Sequence, residues 1–298
     1  LNKDFKASGE VRLLGAQIGR ALNCDSANLD GKKGHASSAD GAVIKGDVFL
    51  NEAFKASGTV RLLGTQIGGD LNCDSASLDG KEGFALSTDG AVIQGSFFFH
   101  DLEQAANKVT LASCHVGRLV DDSESWGENI VLDGFSYDHI AGSAPTDAAT
   151  RLAWLAKQCN AHHGTSNDGA DFKPQPWQQL IHVLRTMGHE EDARQVAIER
   201  EVHLRKVGRI GQTPKAWSRA RAWPYRAAAN TLHWLFGLLI AYGYRPIRLL
   251  AWMLLTWALA GAGSSDRGST MTACVPWHCA CQRFSSAIER RNGDGAGP

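Results

Sequence analysis

A tandem duplication constrains the fold of this chain more than any other feature. The segment at residues 5–50 returns at residues 54–99, a shift of 49 positions, and 33 of the 46 aligned residues are identical. Repeats of this length are typical of solenoids and other stacked architectures, in which each unit buries its apolar side against its neighbours. The duplication therefore predicts a stacked fold.

Inside each copy, apolar residues come in pairs two positions apart, and glycines follow many of the pairs. The first copy contains Val11-x-Leu13, Ala16-x-Ile18, Leu22-x-Cys24 and Ala27-x-Leu29. Residues two apart lie on the same face of a β-strand. Because such strands are too short for hairpins, each is expected to pair with its equivalent one coil away. We predict a mainly β fold, a right-handed β-helix (solenoid) with about two coils per copy. An antiparallel barrel is the alternative.

After the solenoid, the apolar spacing becomes helical. Residues 147–158 are expected to form a helix that caps the last coil, because an open solenoid end leaves its core uncovered. Residues 174–187 and 190–207 are separated by a glycine and predict an α-helical hairpin. The hairpin resembles one tetratricopeptide unit, and structural packing is favoured over a peptide-binding role.

Two apolar segments near the C-terminus predict membrane attachment. Residues 231–242 and 247–263 are apolar, and eight of the 13 Trp and Tyr residues lie at positions 217–257, as in interfacial belts. We predict an interfacial helix, then one C-terminal transmembrane helix in the cell membrane; a buried pair of core helices is the alternative. Because eight Lys and Arg precede them at residues 200–226, the solenoid is expected on the cytoplasmic face of the inner membrane. The predicted organisation is the solenoid at 1–142, the helical cap and hairpin at 143–226, the membrane region at 227–263 and a disordered or aberrant tail at 264–298.

The two halves of the chain carry opposite charge. Residues 1–145 hold 12 Lys and Arg against 20 Asp and Glu, and residues 146–298 hold 19 against 11. A basic second half suits an anionic membrane surface. An acidic solenoid could instead mimic DNA and bind a topoisomerase, although scattered Lys and Arg interrupt the acidic stripe. Nucleic acid itself is not an expected partner.

Several motifs together resemble a known group of proteins. Val-Arg-Leu-Leu-Gly, Leu-Asn-Cys-Asp-Ser-Ala and Asp-Gly-Ala-Val-Ile occur in both copies, and Leu-Asp-Gly-Phe, Pro-Gln-Pro-Trp and Ala-Tyr-Gly-Tyr-Arg-Pro follow at residues 132, 174 and 241. In this order they resemble actinobacterial pentapeptide-repeat-like membrane proteins, over residues 5–262. The resemblance implies a β-helix at a membrane. Some members are labelled membrane-associated oxidoreductases, which makes that activity a second alternative.

No residue pattern predicts a catalytic, cofactor or metal site. The densest group of soft metal ligands is Cys274, His278, Cys279 and Cys281. Structural zinc sites use Cys pairs that are well separated in sequence, whereas this group is one short cluster. We therefore expect no cofactor and no metal, and the enzyme interpretation is not favoured.

A repeated surface remains as the candidate functional site. Catalysis needs one converged constellation with distinct roles, whereas a duplicated face suits an extended or multivalent protein partner. We therefore predict a membrane-anchored cytoplasmic scaffold or protein-interaction protein without catalytic activity. Its candidate interaction surface consists of the polar residues that recur one copy apart: Arg12 and Arg61, Gln17 and Gln66, Asp25 and Asp74.

Overall fold

A computed structural model describes residues 5–158 except 82, and residues 173–264 except 215. This part of the chain contains short β-strands followed by α-helices. The strands are β1 (Lys6–Ser8), β2 (Val11–Arg12), β3 (Gln17–Ile18), β4 (Leu22–Asn23), β5 (Asn28–Ser38), β6 (Val43–Ile44), β7 (Val48–Phe49), β8 (Lys55–Arg61), β9 (Gln66–Ile67), β10 (Leu71–Asn72), β11 (Ser77–Asp79), β12 (Leu86–Ser87), β13 (Val92–Phe99), β14 (Val109–Thr110), β15 (His115–Asp121) and β16 (Ser136–Ile140). The helices are α1 (Ala148–Ala156), α2 (Gln175–Thr186), α3 (Glu190–Lys206), α4 (Arg219–Ile240) and α5 (Ile247–Ser264), with a 3-10 turn at Ala241–Gly243.

The strands form a β-solenoid in which every named strand pairing is parallel. Gln17 pairs with Val43, 26 residues later, and Val43 pairs with Gln66, 23 residues later. These two steps add up to the 49-residue repeat, so each copy makes two coils. One position of the coil recurs six times, at Gln17, Val43, Gln66, Val92, His115 and Ser136. The prediction of a mainly β solenoid is confirmed.

The paired apolar residues fill the interior of the solenoid, as their spacing predicts. Leu71 and Cys73 are fully buried, and Cys24 is nearly so. Leu22 is half-buried because it lies in the first described coil and has a neighbouring coil on one side only. Towards the other end of the solenoid the core becomes aromatic, and the rings of Phe99 and Trp126 lie 4.4 Å apart. Bulky rings therefore fill the end that the helices cover.

The Asp-Gly pairs of the repeat form corners of the coil. Gly41 and Gly90 have φ values of 65° and 68°, in the left-handed region that favours glycine. The Oδ1 atoms of Asp40 and Asp89 each accept a hydrogen bond from a backbone N–H of the next coil, at 3.2 Å. The Asp-Gly pairs therefore recur because the coil makes the same turn in both copies.

Helices α1 and α2 together close the end of the solenoid. Gln179 Nε2 donates to the carbonyl oxygen of Tyr137 at 2.7 Å, and Gln175 Nε2 donates to that of Phe135 at 2.9 Å. These carbonyl oxygens belong to the last described coil, where no further described strand donates an N–H to them, and an unpaired sheet edge would invite aggregation. The sequence predicted this role for α1 alone, whereas the glutamines of α2 share it.

Helix α4 is longer than the sequence predicted. The apolar helix expected at residues 231–242 begins at Arg219, because Arg and Ala are strong helix formers and continue the helix through the basic segment. The expected domain boundary between residues 226 and 227 therefore falls inside a helix. Ala241 and Tyr242 have φ values of 48° and 58°, and this left-handed backbone ends α4.

The chain divides into two compact units, Leu1–Pro246 and Ile247–Pro298. Within the described residues no single helix is long and apolar enough to cross a membrane; Arg219–Gly243 and Ile247–Ala260 reach that length and composition only together, as a pair broken at residues 244–246. The prediction that residues 247–263 form a single transmembrane helix is therefore wrong for the described residues. The helix exists as α5, but its apolar stretch Ile247–Ala260 is shorter than the about 17–25 residues of a membrane span.

Candidate functional site

Gln17 and Gln66 share one exposed column of the solenoid. Both side chains are exposed, and Val43 and Val92 occupy the same column on the alternate coils, also exposed. Neighbouring strands lie about 4.8 Å apart, so the two glutamines are separated by roughly 10 Å along the solenoid. The duplication therefore presents one glutamine–valine pattern twice on the same face.

Arg12 and Arg61 are equivalent in sequence but lie in different environments. The side chain of Arg12 is 65% exposed and approaches Glu10 at 3.6 Å. The side chain of Arg61 is 29% exposed, pairs with Asp40 at 2.5 Å and contacts His35 Nε2 at 3.1 Å. The difference arises because Arg61 has a preceding coil that supplies Asp40, whereas Arg12 lies in the first described coil. Arg12 is therefore the more accessible of the two arginines.

Asp25 and Asp74 lie in a polar ladder along one corner of the coil. Each is half-buried, and the backbone N–H of each donates to an asparagine side chain two residues earlier. His100 lies one coil beyond Asp74, with Nδ1 at 3.5 Å from Asp74 Oδ1 and 2.8 Å from Asp101 Oδ2. One ligand-type atom from each of these three side chains lies within 4.8 Å of the others. Asp101 is largely exposed and its carboxylate already contacts the imidazole, and exposed acidic groups commonly cluster in this way without a metal ion.

Two insertion loops, which the repeat pattern does not indicate as a site, border a cleft on the solenoid. The first loop lies at residues 30–35 and the second contributes Gly80, Lys81 and Gly83; the two flank the intervening coil at Gly58 and Thr59. A Cβ at Gly58 would lie 2.5 Å from the carbonyl oxygen of Gly34, so the loop packs closely on this coil. Lys81 Nζ donates to the carbonyl oxygen of Lys32 at 2.5 Å and thereby ties the two loops together.

The described part of the chain contains three free cysteines, all of them in the core. Cys24, Cys73 and Cys114 are buried in the solenoid core. Burial raises the pKa of Cys73 and of Cys114 to about 12, and that of Cys24 to about 11. A nucleophilic or metal-binding cysteine needs an accessible thiolate, which burial disfavours here.

Helix α4 exposes large apolar side chains, whereas a surface helix of a globular protein buries them. The residues on its inner side include small ones, among them Ala222 and Gly237, where a Cβ would lie 2.5 Å from Tyr242 Cζ. Six of its large apolar side chains are 41–75% exposed: Trp223, Leu232, Trp234, Leu235, Phe236 and Leu238. Soluble monomers rarely expose a contiguous apolar surface of this kind, and such a surface marks contact with a membrane or another protein. We call this surface the α4 apolar face.

A polar network fixes α4 against α3, so that the α4 apolar face turns away from the hairpin. His233 Nε2 lies 3.4 Å from Glu201 Oε2, and the His233 ring stacks on Tyr242 with centroids 4.6 Å apart. Arg205 Nη1 donates to the Tyr242 hydroxyl at 3.1 Å. The helix is therefore held by half-buried polar contacts and small residues, and its apolar side chains remain outside.

Comparison with protein-family models, with curated proteins and with solved structures found no match. The resemblance to membrane proteins with pentapeptide-like repeats therefore stays a prediction that rests on the quoted motifs. The cysteine and histidine cluster at residues 274–281 lies outside the described residues.

Two features of these surfaces escaped the sequence interpretation. The cleft between the loops could have been found from the Asp-Gly-Lys-x-Gly motif, which recurs at residues 30 and 79 and adds residues to alternate coils. The ion pair between Arg61 and Asp40 had no such signal, because the two residues are 21 positions apart and meet only across coils.

Proposed function

We propose that the chain is a membrane-held β-solenoid scaffold that presents its repeated surface to a protein partner. The observation that carries the proposal is the α4 apolar face, because exposing many large apolar side chains to water is unfavourable by about 25 cal/mol for each Å². Small residues on the inner side of α4 are also typical of helices that pack in membranes. The solenoid contributes a rigid surface in which the same side chains recur at fixed spacing.

The membrane element of the proposal is the broken pair of α4 and α5, in place of one transmembrane helix. Basic residues before the apolar segment favour a cytoplasmic solenoid, because Lys and Arg concentrate on the cytoplasmic side of membrane proteins. We further propose that the coils are right-handed, as nearly all parallel strand-to-strand connections are.

The membrane part is tested by fractionating bacterial cells that express the full chain, with carbonate washing of the membranes. The variant Leu232→Gln/Leu235→Gln removes two leucines from the α4 apolar face and should move protein into the soluble fraction, since burial of each leucine contributes roughly 1.5–3 kcal/mol. The matched control Leu14→Gln/Val92→Gln changes two exposed apolar residues of the solenoid and should remain in the membrane fraction. Recovery of the unmodified chain as a soluble monomer would contradict the proposal.

The scaffold part is tested by placing a photo-crosslinking amino acid at Gln17 or at Gln66 in the full chain. Because both positions lie on one exposed column, both should crosslink to the same partner in cells. A crosslinker at Glu124, exposed at another corner of the coil, serves as the control and should give a different or weaker product. Absence of any protein adduct at both glutamine positions would exclude this surface.

A further inference from the structure

We infer that the N-terminal part of α4 and the segment before it bind anionic lipid headgroups, so that the membrane contact is selective for negatively charged lipid. This inference rests on the proposed membrane attachment and adds its lipid chemistry. We call the region from residue 205 to residue 226 the basic collar. It lies directly before the most apolar part of α4.

The charge of the basic collar is one-sided. Residues 202–263 contain nine Lys and Arg and no Asp or Glu, and seven of the nine lie at residues 205–226. Arg219, Arg221 and Arg226 are exposed on the first turns of α4. A concentration of positive charge beside a membrane-seeking surface attracts anionic lipid, and each Lys or Arg near such a surface strengthens binding about fivefold.

Aromatic residues are interleaved with these arginines. The Arg221 guanidinium lies 4.6 Å from the centre of the Trp217 ring, and Trp217 packs edge-on against Tyr225 with centroids 5.6 Å apart. Trp223 on the next turn is 75% exposed. Trp and Tyr concentrate at the headgroup level of membranes, where their rings meet apolar chains and their polar atoms stay hydrated. Basic and aromatic side chains are thus interleaved at residues 217–226, where the basic collar overlaps the α4 apolar face at Trp223.

Nucleic acid is the other polyanion that a basic segment could bind. The position of the basic residues favours lipid, because the same helix that carries them also carries the exposed apolar side chains of Leu232 and Trp234. A nucleic-acid surface would bring no contact for those side chains, whereas a membrane accommodates both parts of the helix.

The test is cell-free synthesis of the full chain with vesicles of phosphatidylcholine alone or with phosphatidylglycerol, followed by flotation and a lipid titration. We expect tighter partitioning to the phosphatidylglycerol vesicles, and a preference that declines with salt because screening shortens to about 10 Å at 0.1 M. The variant Arg219→Gln/Arg221→Gln should lose up to about 25-fold of this preference, at about fivefold for each arginine.

Three comparisons make the result specific. Arg219→Lys/Arg221→Lys keeps the charge and should keep most of the preference, which separates charge from folding. Arg20→Gln/Arg118→Gln removes two exposed solenoid arginines and should behave as the unmodified chain. Duplex DNA offered in place of vesicles should bind weakly and without dependence on Arg219 and Arg221.

The outcomes that overturn the inference are distinct from those that overturn the proposed function. Equal flotation of the unmodified chain with both kinds of vesicle overturns the lipid selectivity and leaves membrane attachment standing. Unchanged preference in Arg219→Gln/Arg221→Gln overturns the assignment to these arginines. Arginine-dependent binding of DNA without lipid selectivity overturns it in favour of nucleic acid. Flotation with neither kind of vesicle overturns membrane attachment as well.

Discussion

Asp121 of the fifth coil and Arg151 of α1 form a bidentate ion pair in which both side chains are 1% exposed. Arg151 Nη1 donates to Asp121 Oδ2 at 2.8 Å and Nη2 donates to Oδ1 at 2.7 Å, while Trp126 Nε1 donates to the same carboxylate at 2.8 Å. Burial opposes the charged form of Arg151, but the neighbouring carboxylate outweighs burial and raises the pKa of Arg151 above its ordinary value. The pair therefore joins the helical cap to the solenoid core.

Breaking this pair should strongly destabilise the protein. Arg151→Met leaves Asp121 buried without its cation, and the loss of one partner of a buried ion pair costs about 3–5 kcal/mol. Lys55→Met is the control, because it breaks an exposed pair with Glu103 and should cost at most about 1 kcal/mol. Urea denaturation in detergent micelles measures both. An equal, small effect of the two substitutions would show that the buried pair is not important for closing the solenoid.

The strand register is tested by two neighbouring residues that lie on opposite sides of β10. Leu71 is fully buried, whereas Asn72 faces outward. Leu71→Asp should unfold the solenoid, because it loses the about 2–5 kcal/mol of a buried leucine and also buries a carboxylate without a partner. Asn72→Asp keeps an oxygen that can accept from the Asp74 N–H and should be tolerated. Circular dichroism distinguishes the two, and a folded Leu71→Asp protein would refute the register.

The solenoid was predictable because its signal is local and repeated. The two-residue spacing of apolar pairs such as Val60 and Leu62 is enough to predict that they are buried, and the 49-residue shift is enough to predict that the coils stack. Contacts between coils and helices have no such period. The meeting of Asp121 with Arg151, and of Gln179 with the carbonyl of Tyr137, depends on where α1 and α2 settle on the last coil.

The candidate surface was predictable only in part, for a related reason. Equal sequence in the two copies indicates equal position in the coil, which holds for Gln17 and Gln66. It does not indicate equal neighbours, because a residue in the first described coil has an adjoining coil on one side only. The beginning of α4 was missed because its basic first turns end the apolar pattern without ending the helix.

Asp147 should give the stability of the cap a dependence on pH. Its side chain accepts the Thr150 N–H at 2.9 Å at the start of α1, and this backbone hydrogen bond lowers the pKa of Asp147 below its ordinary value. A lowered pKa in the folded state means that the contribution is present above about pH 4 and is lost as the pH falls through the folded value.

Denaturation of Asp147 variants at about pH 7 and about pH 3 measures this contribution. Asp147→Ala should lose about 1 kcal/mol at the higher pH, and its difference from the unmodified protein should shrink in acid. Asp147→Asn keeps an uncharged capping oxygen and should stay within a few tenths of a kcal/mol of the unmodified protein at the higher pH. A constant difference between Asp147→Ala and the unmodified protein across this range would show that the carboxylate charge has no role.

The buried cysteines should resist alkylation in the folded protein. Burial raises the pKa of the Cys73 thiol from 9.0 to about 12, which lowers its thiolate fraction about a thousandfold at neutral pH. Peptide mass spectrometry after iodoacetamide treatment should therefore find Cys73 and Cys114 unlabelled until urea unfolds the chain. Cys73 should label readily without urea in Leu71→Asp, and protection of Cys73 in that variant would contradict the expected unfolding.

Arg12 and Arg61 should respond differently to the same substitution, although the repeat makes them equivalent. Arg61→Glu places a carboxylate beside Asp40 in a half-buried site and also removes the contact with His35, so it should destabilise the solenoid by about 1–3 kcal/mol. Arg12→Glu changes a side chain that is 65% exposed and should alter stability by at most about 1 kcal/mol. Thermal unfolding of the two single variants measures the contrast, and equal melting temperatures would show that the pair across coils contributes little. Since Arg61→Glu is expected to destabilise the solenoid, a loss of partner binding in that variant would not distinguish unfolding from a lost contact. A loss of binding on substitution of Arg12, Gln17 or Gln66 would instead report on the repeated surface itself.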